Sequence, residues 1–141
     1  MVDAAPVEFV DLDESRRVFE VNVLGVLSTT RAFLPQIRSS KGRIVNMSSL
    51  SALLSLPFLS AYNASKAALE SLTDALRREL LTFGVDVVVM QPGTTRTPLW
   101  HKAENIDLTA YRRNTPYGNL RRERTNALSW TSHLEILHLT D

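Results

Sequence analysis

A long helical pattern lies between two short apolar runs, and this arrangement restricts the fold more than any other feature of the chain. Alanines and leucines recur at helical spacing over residues 61–81, with Ser60 as the expected N-cap and Gly84 as the expected stop. Residues 44–47 precede this helix and residues 85–90 follow it; nearly continuous valine is typical of a parallel strand covered on both faces. A strand, a helix and a second strand predict a βαβ unit with a right-handed crossover, so the fold class is α/β.

A second helix is predicted near the start of the chain. Asp11 and Glu14 have the spacing of a capping box, which satisfies the first backbone N–H groups of a helix. Apolar residues then follow the helical period as far as Leu34. Pro35 is expected to end or bend this helix, because proline lacks a backbone N–H and its ring clashes with the preceding turn.

Four polar side chains cluster around the βαβ unit. Ser48 and Ser49 follow the first strand, and Tyr62 and Lys66 are four residues apart in the first turns of the next helix, so they share one helix face. A tyrosine ordinarily titrates near a pKa of ~10, and a nearby ammonium lowers that pKa, which makes the phenol a usable general acid and base. A serine hydroxyl can hydrogen-bond an oxygen on which charge develops. The set suits proton transfer to or from a carbinol while a cofactor carries the hydride.

These residues resemble the active-site signature of the short-chain dehydrogenase/reductase family. Ser49 stands thirteen positions before Tyr62, and Tyr62 opens the run Y-N-A-S-K that ends at Lys66. The surrounding strings IVNMSS and YNASKAAL are similar to the same family beyond the catalytic residues. The resemblance runs from about Pro6 to Pro98, roughly two thirds of the chain.

The resemblance implies a role for each residue of the set. Tyr62 transfers the proton, Ser49 orients and polarises the carbonyl oxygen, and Lys66 lowers the tyrosine pKa and holds the nicotinamide ribose. Asn22, in a V-N-x-x-G segment similar to that of the family, completes a proton relay through a water molecule. A P-G-x-x-x-T segment resembles the part of the family that contacts the nicotinamide carboxamide, a contact assigned here to Thr97. The residues expected to bind cofactor are Tyr62, Lys66, Pro92, Gly93, Thr95 and Thr97. Those expected to face the substrate are Ser49, Leu50, Leu54 and Tyr62.

The family's fold is a Rossmann-like, doubly wound parallel sheet in three layers, and the resemblance places this chain in its second half. Residues 1–99 correspond to the catalytic part, and residues 100–141 to a substrate-lid region and a divergent tail. No two of the five glycines lie closer than nine residues apart, so the glycine-rich phosphate loop is absent. We therefore expect a fold truncated at its N-terminus, with an exposed strand edge at residues 43–48.

The expected cofactor is NAD or NADP, without a basis for choosing between them. Leucines beside the serine predict an apolar wall suited to an aliphatic, steroid-like or retinoid-like alcohol or carbonyl, although the same leucines are equally compatible with a core position. The resemblance implies a homodimer or homotetramer through the two long helices. The alternative function is a catalytically inactive dimerisation or regulatory module, which the missing phosphate loop favours. The intact set of Asn22, Ser49, Tyr62 and Lys66 favours the oxidoreductase.

Net charge and composition limit the classes of binding partner and the cellular compartment that we expect for this protein. The net charge of +1 indicates neither a nucleic-acid nor an anionic-membrane partner, and the basic run at residues 121–124 is interpreted as a solvated face. No apolar run approaches the ~18 residues of a membrane span, and the first residues lack the order of a signal peptide. A cytoplasmic protein is therefore predicted. His101, His133 and His138 lack metal-ligand spacing, and no metal site is expected.

Overall fold

The computed structural model describes residues 4–93 together with Thr115 and Pro116. The chain divides into two units, Met1–Thr95 and Arg96–Asp141, and every element named below belongs to the first. Several predictions lie outside the described residues: the cofactor contacts of Thr95 and Thr97, the lid region and tail at residues 100–141, and the three histidines.

The predicted βαβ unit is present. Strand β1 (Arg43–Met47), helix α3 (Ser60–Leu80) and strand β2 (Asp86–Met90) follow one another, and the two strands pair in parallel. Ile44 lies opposite Val87 in this pairing, and Asn46 lies opposite Val89. A parallel pair needs a long crossover between its strands, and α3 supplies it.

The two ends of α3 differ in how well the sequence predicts them. A short 3₁₀ turn, Leu81–Phe83, follows α3, and Gly84 then adopts the left-handed conformation (φ 68°) that glycine favours. Ser60 is the first helical residue rather than the N-cap, so that prediction was wrong. Leu59 occupies the cap position, where it is buried and its carbonyl accepts the Asn63 N–H at 2.9 Å. Apolar packing rather than a capping hydroxyl therefore fixes the start of α3.

Asp11 caps helix α1 (Leu12–Phe19). Its carboxylate accepts the N–H groups of Asp13 at 2.8 Å and of Glu14 at 3.4 Å. The reciprocal half of the capping box does not form, because the Glu14 carboxylate pairs with Arg17 one turn further along.

Replacing Asp11 with alanine is expected to lower the free energy of unfolding by about 0.5–2 kcal/mol, the usual cost of losing a helix cap. Asp11→Asn keeps a capping oxygen and should retain most of this stability. Urea unfolding followed by circular dichroism measures both variants. Equal stability of Asp11→Ala and the unsubstituted chain would contradict the capping role.

The predicted long first helix is interrupted between residues 20 and 24. A π-helical turn, Glu20–Leu24, separates α1 from helix α2 (Gly25–Ser40). A Cβ atom at Gly25 would lie 3.2 Å from the Glu20 carbonyl oxygen, so glycine suits this close approach. Pro35 was expected to end or bend the helix, and the first alternative is wrong, because α2 continues to Ser40. Pro35 and Arg31 are exposed, so water can hydrogen-bond the Arg31 carbonyl that proline leaves without a donor.

The core lies on one face of the two-stranded sheet. Ile44, Val85, Val87 and Leu80 are buried there, with Leu34 and Ile37 of α2 and Leu76 of α3 packed against them. On the opposite face Val45, Met47, Val88 and Met90 are 38–51% exposed. Thus β2 is not covered on both faces by the described residues, contrary to the prediction. The continuous valines of β2 indicate that both of its faces suit burial, but they do not identify the element that covers each face.

The edge of β1 away from β2 has no neighbouring strand among residues 4–93, as expected for residues 43–48. A groove of about 690 Å³ runs along this edge. Its lining includes Val21, Val26, Thr29, Phe33, Ile44 and Val45.

Within the described part of the chain, every helix is too short or too polar to cross a membrane.

Candidate active site

Of the predicted site residues, Ser49, Lys66, Pro92 and Gly93 lie where the two strands end. Hydrogen bonds continue past the strands: the Ser48 N–H donates to the Met90 carbonyl at 2.7 Å, and the Leu50 N–H donates to the Pro92 carbonyl at 3.3 Å. The segment containing Ser49 therefore lies beside the Pro92–Gly93 turn. In open α/β sheets this carboxyl edge is where ligands bind.

Tyr62 and Lys66 stand together above the end of β1. Both side chains are half-buried, and the Lys66 Nζ atom lies 5.9 Å from the centre of the Tyr62 ring. The same Nζ donates a hydrogen bond to the Met47 carbonyl at 2.8 Å, which fixes the ammonium two residues before Ser49. Burial lowers the pKa of Lys66 below its ordinary value of 10.5, because desolvation disfavours the charged form.

This lowered pKa makes stability depend on pH in a defined direction. Between the folded pKa of Lys66 and 10.5, the unfolded chain binds more protons than the folded chain, so the free energy of unfolding rises with pH. Compared with Lys66→Met, the unsubstituted chain should gain stability as the pH rises from neutral towards 10.5. Urea unfolding of both proteins over that range measures the difference. A difference that stays constant, or that falls as the pH rises, would contradict the buried-ammonium geometry.

Asn22 is connected to the start of α3 through Ser65. The Asn22 side chain lies in the π-helical turn, and its Nδ2 donates to Ser65 Oγ at 3.0 Å. Ser65 is fully buried and donates in turn to the Tyr62 carbonyl at 2.7 Å. Among residues 4–93, Asn22 has no direct hydrogen bond to Lys66. These two hydrogen bonds connect the π-helical turn that contains Asn22 to the backbone of Tyr62.

Sequence reasoning did not assign a role to Ser65, although Ser65 belongs to the quoted Y-N-A-S-K run. Serine within a helix often donates a hydrogen bond to a carbonyl one turn earlier. The position of Ser65, three residues after Tyr62, could therefore have predicted its bond to the Tyr62 carbonyl. Its second partner, Asn22, is 43 residues away and depends on the tertiary fold.

Ser49 has an extended backbone and precedes a short 3₁₀ turn, Leu50–Ala52. Its Oγ accepts the Ser51 N–H at 3.2 Å. This contact uses a lone pair on the hydroxyl oxygen and leaves the O–H hydrogen for a ligand. In the described part of the chain, no hydrogen bond joins the side chains of Ser49 and Tyr62.

The leucines after Ser49 divide into two groups. Leu50 and Leu54 are 43% and 44% exposed, which suits the predicted apolar wall. Leu56 and Leu59 are buried and belong to the packed interior. The Asn63 side chain holds the loop by donating to the Leu56 carbonyl at 2.7 Å. Some of the leucines predicted to form the apolar wall, such as Leu56, therefore belong to the packed interior instead.

The residues at this edge fit the nicotinamide end of a dinucleotide. The Lys66 ammonium has three donors and uses one on the Met47 carbonyl, so two remain for a diol. Gly93 is exposed and has no side chain, so its backbone is accessible to an amide group. Leu50 contributes apolar surface beside it, 3.4 Å from the position of a Cβ at Gly93. The groove along β1 is a separate place, because neither Tyr62 nor Lys66 lines it.

Comparisons with known proteins identify relatives of this chain. Residues 1–107 match the family model described as short chain dehydrogenase. An uncharacterized oxidoreductase of Bacillus subtilis, YusZ, is 43% identical over 95 residues, which are 67% of this chain and 34% of that protein. Estradiol 17-beta-dehydrogenase 2 of Mus musculus is 40% identical over 103 residues, or 69% of this chain and 27% of that protein. A Burkholderia cenocepacia short chain dehydrogenase solved in complex with NADP superposes with a TM-score of 0.67 at 35% identity, over 70% of this chain and 42% of that one. The chain thus spans about a third of the length of the curated relatives it matches.

Proposed function

The chain belongs to the short-chain dehydrogenase family, and on that premise we propose that it carries the proton-transfer site of an NAD(P)-dependent oxidoreductase that interconverts an alcohol and a carbonyl. The observation that carries the proposal is the placement of Tyr62 and Lys66 above the end of β1, next to Ser49 and the Pro92–Gly93 turn. A solved relative binds NADP, which supports a nicotinamide cofactor and leaves NAD or NADP open.

Each side chain has a defined task in this proposal. A nicotinamide cofactor held by Lys66 and the Pro92–Gly93 turn would supply or accept the hydride. In the reducing direction the Tyr62 O–H gives its proton to the carbonyl oxygen, and the Ser49 O–H donates a hydrogen bond to that same oxygen. The Lys66 ammonium, 5.9 Å from the Tyr62 ring, stabilises the phenolate that remains. Alcohol oxidation uses the same groups in reverse, with Tyr62 as the base.

Asn22 is proposed to act through Ser65 of α3. Its bond to Ser65, and the bond from Ser65 to the Tyr62 carbonyl, fix the backbone around the acid/base residue. We also propose that Asn22 relays protons through a water molecule to Lys66. The π-helical turn supports it, because such turns occur frequently at functional sites.

The proposed substrate is an apolar alcohol or carbonyl compound of aliphatic, steroid-like or retinoid-like chemistry. Exposed Leu50 and Leu54 beside Ser49 supply an apolar surface for it. The similarity to an estradiol dehydrogenase supports the steroid-like member of this class.

Titration of the purified chain with NADH and NADPH, followed by cofactor fluorescence, tests the cofactor part of the proposal. We expect saturable binding that Lys66→Met weakens and that Lys41→Met leaves unchanged, because Lys41 is exposed at the C-terminal end of α2. A folded chain that binds neither cofactor, or a Lys66→Met variant that binds equally well, would contradict the proposal.

The second candidate function is the non-catalytic dimerisation or regulatory module. Exposed apolar side chains on α2 and the preceding turn, Leu24, Leu27 and Phe33, support it. Sedimentation of the chain, combined with the titration, separates the two functions. A folded oligomer without cofactor binding favours the module, whereas cofactor binding that depends on Lys66 favours the oxidoreductase.

A further inference from the structure

Glu70 lies one helical turn beyond Lys66 and two turns beyond Tyr62. The spacing i, i+4, i+8 places the three side chains along one face of α3, the face that meets the ends of the strands. Glu70 is half-buried and takes no part in the proton transfer proposed for Ser49, Tyr62 and Lys66.

A single oxygen of Glu70 joins both strand ends. Its Oε1 accepts the hydroxyl of Ser48 at 2.6 Å and the side-chain amide of Gln91 at 2.7 Å. Ser48 is buried and Gln91 is half-buried, so water competes weakly for these bonds. Hydrogen bonds to an ionised acceptor are roughly twice as strong as bonds between neutral groups.

Each donor stands directly before a segment of the proposed site. Ser48 precedes Ser49, and Gln91 precedes Pro92 and Gly93. Beyond these donors, only the hydrogen bonds from Ser48 N–H to Met90 and from Leu50 N–H to Pro92 join the two segments among residues 4–93. The bond from Ser48 is short, at 2.7 Å, whereas the bond from Leu50 is long, at 3.3 Å, so backbone bonding between the two segments weakens beyond the strand ends.

We propose that Glu70 is a positioning residue that sets the separation between the Ser49 hydroxyl and the Pro92–Gly93 turn. The inference rests on the proposed function, because Ser49 faces the reacting oxygen and the turn faces the nicotinamide only in that function. Loss of the carboxylate releases both segments together. Ser49 then leaves the reacting oxygen, which lowers kcat, and the turn leaves the cofactor, which raises the cofactor Kd.

The test compares three variants of the whole chain. Glu70→Leu removes the acceptor, and Glu70→Gln keeps an oxygen that can accept both donors. Glu79→Leu makes the same substitution at an exposed position of α3. NMR measures the rates at which the backbone N–H groups of Ser48 and Leu50 exchange their hydrogens with solvent. The Asp86 N–H, which donates to the Gly42 carbonyl at the opposite end of the sheet, reports global destabilisation.

We expect Glu70→Leu to speed exchange at Ser48 and Leu50 by about tenfold or more, as loss of hydrogen bonds to a charged group implies, with Asp86 unchanged. Glu79→Leu should exchange like the unsubstituted chain, and Glu70→Gln, which keeps a neutral acceptor, should exchange at a rate between those of Glu70→Leu and the unsubstituted chain. In steady-state kinetics, Glu70→Leu should lower kcat and raise the cofactor Kd, and Glu70→Gln should restore both in part.

Two results would overturn the inference. One is unchanged exchange at Ser48 and Leu50 in Glu70→Leu. The other is faster exchange with cofactor affinity and kcat unaltered, which would make the bonds a feature of folding alone. If the unsubstituted chain binds no cofactor, the proposed function fails separately, and the exchange data alone decide whether Glu70 holds the two segments.

Discussion

Tyr62→Phe is expected to lower turnover of an alcohol or carbonyl substrate by roughly 10²- to 10⁴-fold, the usual contribution of a positioned general acid or base. The substitution removes one oxygen and leaves the half-buried ring in place. The contact between the Lys66 ammonium and that ring, and the bond from Ser65 to the residue's backbone carbonyl, are independent of the hydroxyl. The loss should therefore appear mainly in kcat, with a much smaller rise in the cofactor Kd, since Tyr62 is also expected to contact the cofactor.

Circular dichroism and cofactor titration of the variant separate a chemical loss from a structural one. A Tyr62→Phe variant that is folded, binds cofactor and turns over at the unsubstituted rate would exclude Tyr62 as the acid/base residue. The proton would then have to come from another group at the edge, with Ser49 the first to be tested.

Leu69→Ala is expected to lower the free energy of unfolding by about 2–5 kcal/mol, the range for emptying a buried leucine site. Leu69 is 1% exposed and is among the largest fully buried side chains of the described residues, together with Val18. A loss of this size is a large fraction of the roughly 5–15 kcal/mol that stabilises a typical domain. The variant should therefore be partly unfolded at moderate temperature.

Leu81→Ala is the matched control, because Leu81 directly follows α3 and is 75% exposed. Its effect should stay within about 0.5 kcal/mol. Urea unfolding followed by circular dichroism compares the two variants. Equal losses at both positions would contradict the packing of α3 against the rest of the fold.

Local patterns in the sequence predicted the elements that local physics determines. The two β-branched runs and the periodic alanines and leucines gave β1, α3 and β2, and Gly84 marked a turn that needs positive φ. Pro35 did not stop its helix, which continues to Ser40; the Arg31 carbonyl that proline leaves without a donor belongs to an exposed residue. The π-helical turn at Glu20–Leu24 follows no simple periodicity, so the apolar pattern read as one continuous helix.

The candidate site was predictable where its residues share a helix face. Tyr62 and Lys66 follow from i, i+4 spacing, and the same spacing extended by one turn points to Glu70. The partners of Ser65 and Glu70 could not be derived in this way, because they lie 43, 22 and 21 residues away and meet only in the folded chain. Hydropathy likewise could not separate exposed Leu50 and Leu54 from buried Leu56.

The measurement that tests the central claim most directly is transfer of deuterium from a nicotinamide cofactor deuterated at its transferable position. The purified chain is incubated with deuterated NADH or NADPH and a panel of aliphatic, steroid and retinoid carbonyl compounds, and mass spectrometry locates the label. We expect deuterium on the carbinol carbon of an alcohol product, at a rate that Tyr62→Phe reduces by at least about a hundredfold. A folded chain that binds cofactor yet transfers no deuterium, or transfers it equally well without the Tyr62 hydroxyl, would contradict the role of Tyr62 in an oxidoreductase site.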